Sequence, residues 1–164
     1  MIKKLFSILG AIIGLIIFLV FVGTGSQVGK EVGKAAFSPP SKPTEQEVIA
    51  KLAEGLEFAA KQINNSAPIM VDEETRMDGA SVGPGVLVTY HHTFLNYSSS
   101  DIDSGLIQSN VLPTVRSNVC SSKEMKPSLQ YGAKYTYSYS GNDGVLIGEF
   151  TIDRNDCGFS AKSP

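Results

Sequence analysis

Hydrophobic and polar residues divide this chain into three stretches. Residues 5–23 read LFSILGAIIGLIIFLVFVG, nineteen positions with no charge and one hydroxyl. A helix of that length spans roughly 28 Å at 1.5 Å per residue, close to the hydrocarbon thickness of a bilayer. Lys3 and Lys4 precede it within residues 1–4. Positive charge at this end predicts a cytoplasmic N-terminus and an exported remainder. Lys30 and Lys34 weaken the asymmetry, with Glu31 between them. The competing reading is a cleaved secretory signal, whose apolar run is shorter and ends at a small-x-small site. Gly23-Thr24-Gly25 and Gly33-Lys34-Ala35 have that form. The longer run favours an uncleaved signal anchor: an inner-membrane protein with one span and a periplasmic C-terminal domain.

Residues 24–43 form a Gly/Pro-rich linker that ends in Ser-Pro-Pro-Ser-Lys-Pro, a stiff non-helical spacer. Periodic patterning begins after it and marks a domain at residues 44–160. Thr44 and Glu47 have capping-box spacing. Ile49, Leu52, Leu56, Ala59, Ala60 and Ile63 then recur at helical intervals, up to the stop signal Asn64-Asn65-Ser66 before Pro68. Residues 69–82 are weakly strand-like. After the turn Gly83-Pro84-Gly85, residues 86–97 are rich in β-branched and aromatic side chains. The two predict an antiparallel pair. A second helix is expected over residues 104–120, capped by Asp101 or Asp103, with a kink or broken start at Pro113. Tyr131 to Ser140 alternates, turns at Gly141-Asn142-Asp143-Gly144, and returns through Val145 to Asp153 with Leu146, Phe150 and Ile152 on one face. The expected architecture is α+β. An N-terminal transmembrane helix precedes α-β-β-α-β-β, folded as a four-stranded antiparallel sheet with helices on one face.

Charge narrows the partners. The chain carries a net −2, but five of its 14 basic residues precede Thr44. From Thr44 onward nine basic and fifteen acidic residues leave a net of −6. Phosphate-backbone binding needs clustered Lys and Arg, so nucleic acid is excluded as an expected partner.

Candidate chemistry is sparse. Cys120 and Cys157 would close a disulfide in an exported domain; two buried free thiols or part of a metal site are the alternatives. His91 and His92 are consecutive on a strand and point to opposite faces, which opposes one shared site. His92 shares the side of Val88, Tyr90 and Phe94 and is expected to pack, leaving His91 exposed. Asp72, Glu73, Glu74 and Asp78 surround Arg76 as a docking patch, a cation site or a solvated strand edge. Tyr135, Tyr137 and Tyr139 have strand spacing, fitting either an interaction platform or the core face of the sheet. Gly10 and Gly14 are spaced for close helix–helix approach and homo-oligomerisation through the span, although glycine is common in spans. GxSxG, HExxH, CxxC, phosphate-loop and EF-hand patterns are all missing. No catalytic residue, metal or cofactor is therefore expected.

Pro68-Ile69-Met70-Val71-Asp72, Thr75-Arg76-Met77-Asp78, Pro84-Gly85 and Tyr90 form one recurring pattern. Cys120, Leu129, Gly132, Tyr135, Tyr137, Gly144 and Asp156-Cys157 continue it. The pattern resembles small exported, membrane-anchored bacterial α+β domains of unassigned function. It implies an envelope location, an α+β fold and the cysteine pairing, but no activity. The leading expectation is a non-enzymatic envelope protein, of secretion-accessory or exclusion/immunity type, that binds another membrane or periplasmic protein. Alternatives are a small-ligand or lipid-binding domain, with a pocket between the first helix and the sheet, and an envelope hydrolase using Asp72, Arg76, Asp78 and His91.

Overall fold

The structure, a computed structural model, describes residues 42–162. The expected span at residues 5–23, its flank, the Gly10/Gly14 pair and nearly all of the linker lie outside those residues. Among the described residues no helix is long and apolar enough to cross a membrane.

Helix α1 (Glu45–Ser66) starts where the capping box places it. The Glu47 N–H donates to Thr44 Oγ1 at 3.3 Å, and the Thr44 N–H donates to Glu47 Oε2 at 2.7 Å. The helix stops at Ala67, which is extended, as residues before proline tend to be. Its C-terminal half presents Ala60 and Ile63 to the sheet.

The sheet departs from expectation. It has five strands rather than four, in the order β1 (Ile69–Met70), β2 (Thr75–Gly83), β3 (Leu87–Phe94), β4 (Lys134–Ser140) and β5 (Leu146–Ile152). It is mixed rather than antiparallel, because β3 and β4 run parallel. The extra strand arises within residues 69–82. The Asp72 carboxylate accepts the Glu74 and Thr75 N–H groups at 2.8 and 2.7 Å, turning the chain so that Ile69 and Met70 pair back on Met77 and Arg76. The parallel pairing follows from the crossover. Helical segments after β3 return the chain to the end of the sheet where β3 began, so β4 must run alongside it.

That crossover is also more broken than one kinked helix. Helix α2 (Ser104–Leu106) runs into a π-helical turn (Ile107–Val111) and then α3 (Leu112–Ser121). Pro113 explains the widening: it has no N–H to donate to Ser109, and its ring crowds that carbonyl. A further helix, α4 (Met125–Gln130), has no counterpart among the expected elements. Six residues are too few to show a helical period.

Two β-bulges adjust the register. One between Met77 and Gly79 places Asp78 as an extra residue on β2. The other, at Tyr139/Ser140, shifts β5 so that Leu146 is 54% exposed instead of sharing the buried face with Phe150 and Ile152.

One face of the sheet is buried. Helix α1 lies over β2 and β3, while the π turn and α3 lie over β5. Long aromatic side chains fill the interval between them: Tyr90 and His92 from β3, Tyr135, Tyr137 and Tyr139 from β4, and Phe150 from β5. Tyr90 and Tyr137 centroids lie 5.3 Å apart, and Tyr137 and Phe150 centroids 5.6 Å. The edge of β2 is closed by a side chain. Asn64 accepts the Ala80 N–H at 2.7 Å and donates to the Ala80 carbonyl at 2.9 Å, as a neighbouring strand would. Gly79 makes room, since a Cβ there would stand 2.6 Å from Asn64 Oδ1, and its φ of +154° suits glycine. At the far end Cys120 of α3 is bonded to Cys157 beyond β5, with Cα atoms 5.1 Å apart.

Two stability predictions follow from these contacts. Asn64→Ala should cost about 1 kcal/mol in urea unfolding of the full-length chain, because both Ala80 groups lose a partner. Replacing Cys120 and Cys157 together by alanine should cost about 3–4 kcal/mol, as expected for opening a loop of this size. A double variant as stable as the parent would contradict the second value.

Candidate interaction surface

The opposite face of the sheet carries no helix among the described residues. Its side chains are the alternate polar positions of each strand, and the register aligns them in rows. Ser81, Thr89, Thr136 and Thr151 are successive cross-strand neighbours, and Thr136 Oγ1 lies 2.8 Å from Thr151 Oγ1. The next row holds Gly79, His91, Ser138 and Glu149. Beyond it Arg76 faces Thr93.

The Met77–Gly79 bulge organises the centre of this face. It turns Asp78 to the same side as Arg76, where the two side chains form an ion pair. The Thr93 hydroxyl donates to the other Asp78 oxygen. Across the glycine gap, Ser81 Oγ lies 2.8 Å from His91 Nε2. Arg76, Asp78 and His91, singled out from the sequence, therefore meet on one open surface. Ser81 and Thr93 complete the cluster and were not anticipated. Thr93 left a trace in the polar alternation at 89, 91 and 93. A single inserted residue leaves no periodic signal, so the bulge itself was not foreseeable.

The other expected residues fall elsewhere. Asp72, Glu73 and Glu74 form the β1–β2 turn at the margin of this face, and the Asp72 carboxylate is engaged by turn amides. Tyr135, Tyr137 and Tyr139 point the opposite way and are 2, 2 and 3% exposed. They are core, as the second of the two readings had it, and form no platform. Burial raises their phenol pKa values above the ordinary range and keeps them neutral. His92 is buried and His91 exposed, as the alternation requires.

The cluster can donate and accept hydrogen bonds across a broad front, with its one cation and one anion already paired. A Ser–His contact is one element of a nucleophilic centre. Among the described residues, though, no carboxylate lies within ion-pair distance of His91. Nor is there a group of three or more His, Cys, Asp or Glu side chains that could hold a metal ion. Among the described residues, the backbone amides of the paired strands serve the sheet ladder. The geometry suits recognition of a polar surface.

A mixed sheet backed by helices on one face defines the class of fold. The same fold occurs in a protein from Pseudomonas aeruginosa assigned as secreted, with a TM-score of 0.55 and 23% identity over 66% of this chain and 95% of that one. It occurs also in the type II secretion system pilotin AspS from Vibrio cholerae, with a TM-score of 0.54 and 16% identity over 68% and 97% of the two chains. The pilotin EpsS of the Vibrio vulnificus type 2 secretion system shares it at a TM-score of 0.53 and 16% identity, over 68% and 96%. No protein-family model and no curated protein matches the sequence.

If the cluster is a surface and not a structural brace, Ser81→Ala and His91→Ala should each change unfolding free energy by no more than about 0.5 kcal/mol. Denaturant titration of both variants checks this; a loss of several kcal/mol would assign the pair to the fold instead.

Proposed function

We propose that this chain is a membrane-anchored, non-enzymatic accessory protein of a bacterial envelope, and that its domain binds another envelope protein through the open face of the sheet. The observation that carries the reading is the asymmetry of that sheet. One face is fully used for packing. The other has no helix over it among the described residues and carries a polar cluster held in place by a bulge. Bulges that re-aim side chains are enriched beside functional sites.

Residues 5–23 would hold the chain in the inner membrane, with residues 1–4 in the cytoplasm and the domain in the periplasm. The Cys120–Cys157 bond supports export, since disulfides persist in oxidising compartments. Of the two accessory types, secretion is favoured over exclusion or immunity, because pilotins of type II secretion systems share the fold. Gly10 and Gly14 offer a second, weaker contact, between spans of two copies.

The test is site-specific cross-linking in intact cells. A photoreactive residue at position 91 should capture one discrete envelope protein, and the Arg76→Glu change should reduce capture at least several-fold. The same probe at Phe58, exposed on α1, should not yield that adduct. Removal of residues 5–23 should release the domain from the membrane fraction. Absence of any adduct from the open face, with equal expression, would refute the proposed surface.

A further inference from the structure

His92 lies at the centre of the packed face. It is 4% exposed, and its Nδ1 is buried without a hydrogen-bond partner. Tyr139 stacks on it at 4.8 Å between centroids, with Tyr137 at 6.2 Å. Met77 sits opposite it on β2 and Tyr139 opposite it on β4. A neutral ring fits this apolar slot. A protonated ring would be a buried cation with its Nδ1 lacking a partner.

We infer that His92 is an acid-sensitive element of the core: a proton on this ring destabilises the packed aromatic face of the sheet and with it the folded domain.

The surrounding groups that favour the proton are outweighed by burial. Burial is the largest influence and lowers the ring's pKa from 6.5 to about 4. The carbonyls of Ser138 and Tyr90 and the Asp78 carboxylate oppose it, while His91 adds repulsion. From β4, Tyr137 and Tyr139 contribute phenols kept neutral by burial, with Asp72 acting on Tyr139. Helix α1 brings Ala60 and Ile63 to the core and keeps Glu57 and Lys61 as an exposed ion pair.

The direction follows from linkage. The unfolded chain binds the proton more tightly than the folded one. The stabilising contribution is complete above about pH 6.5 and is lost as pH falls to about 4, with a maximum effect of about 300-fold on the folding equilibrium. Asp101, held below its ordinary value by Ser98, and Asp143, held low by Ser99, lose their contributions below that window, whereas Glu47, Glu57 and Glu124, also held low by hydrogen bonds, begin to lose theirs at its acid end in parent and variants alike.

The test is urea unfolding of the full-length chain in detergent at pH 6.5, 5.5 and 4.5, followed by tyrosine near-ultraviolet dichroism. The parent should lose stability steadily across the range, His92→Phe should remove most of the slope, and His91→Gln should retain it. Should His92→Phe fail to fold, imidazole NMR of the parent decides: the His92 signal should stay neutral until the domain opens. A parent flat between pH 6.5 and 4.5, a His92→Phe variant with the full slope, or a His92 ring titrating near 6.5 in the folded state would each overturn the inference.

Discussion

The parallel pairing of β3 with β4 is the constraint on which the rest of the structure depends. It sets Val88 against Tyr135, Tyr90 against Tyr137 and His92 against Tyr139, so six large or branched side chains share one face. Their rings and methyl groups carry most of the apolar area on this face, and burying apolar area is the dominant favourable term available to a domain of this size. Everything on that side is arranged around them. Helix α1 covers one flank, the π turn and α3 cover the other, and the rings fill the space between. Closing devices then secure the margins: Asn64 along the edge of β2, and the disulfide between α3 and the segment after β5.

The same register fixes the opposite face. Strand alternation that sends Tyr90 and His92 inward must send Thr89, His91 and Thr93 outward. The bulge on β2 adds Asp78 to that outward set without disturbing Met77 or Ala80, which remain buried. The apolar and the polar side chains are thus divided between the two sides of one sheet. His91 and His92 show the division within a single dipeptide, one ring on the open surface and the next in the core.

Much of this was legible from local pattern. The capping box at Thr44 located α1, β-branched and aromatic richness located β3, alternation located β4 and β5, and polar Gly-Asn-Asp-Gly located the turn between them. The inward and outward sides of His91 and His92 were readable from period two alone. What was not legible depends on distance or on single residues. Parallel pairing is decided by where the crossover returns the chain, which no window of sequence records. A two-residue strand such as Ile69–Met70 has no period to detect. The bulge at Asp78 and the side-chain bridge from Asn64 require knowing which strands are neighbours. Arg76, Asp78 and His91 could therefore be named as candidates, whereas their meeting with Ser81 and Thr93 could not.

If the aromatic face joining β3 and β4 is the centre of the domain, its backbone should be the last to open. Native-state amide hydrogen exchange on the full-length chain measures this directly. The slowest amides should lie in Val88 to His92 and Tyr135 to Tyr139, exchanging only through global unfolding, with β1 and the helix ends faster. Rapid exchange in these two strands while α1 or β5 stayed protected would contradict the account.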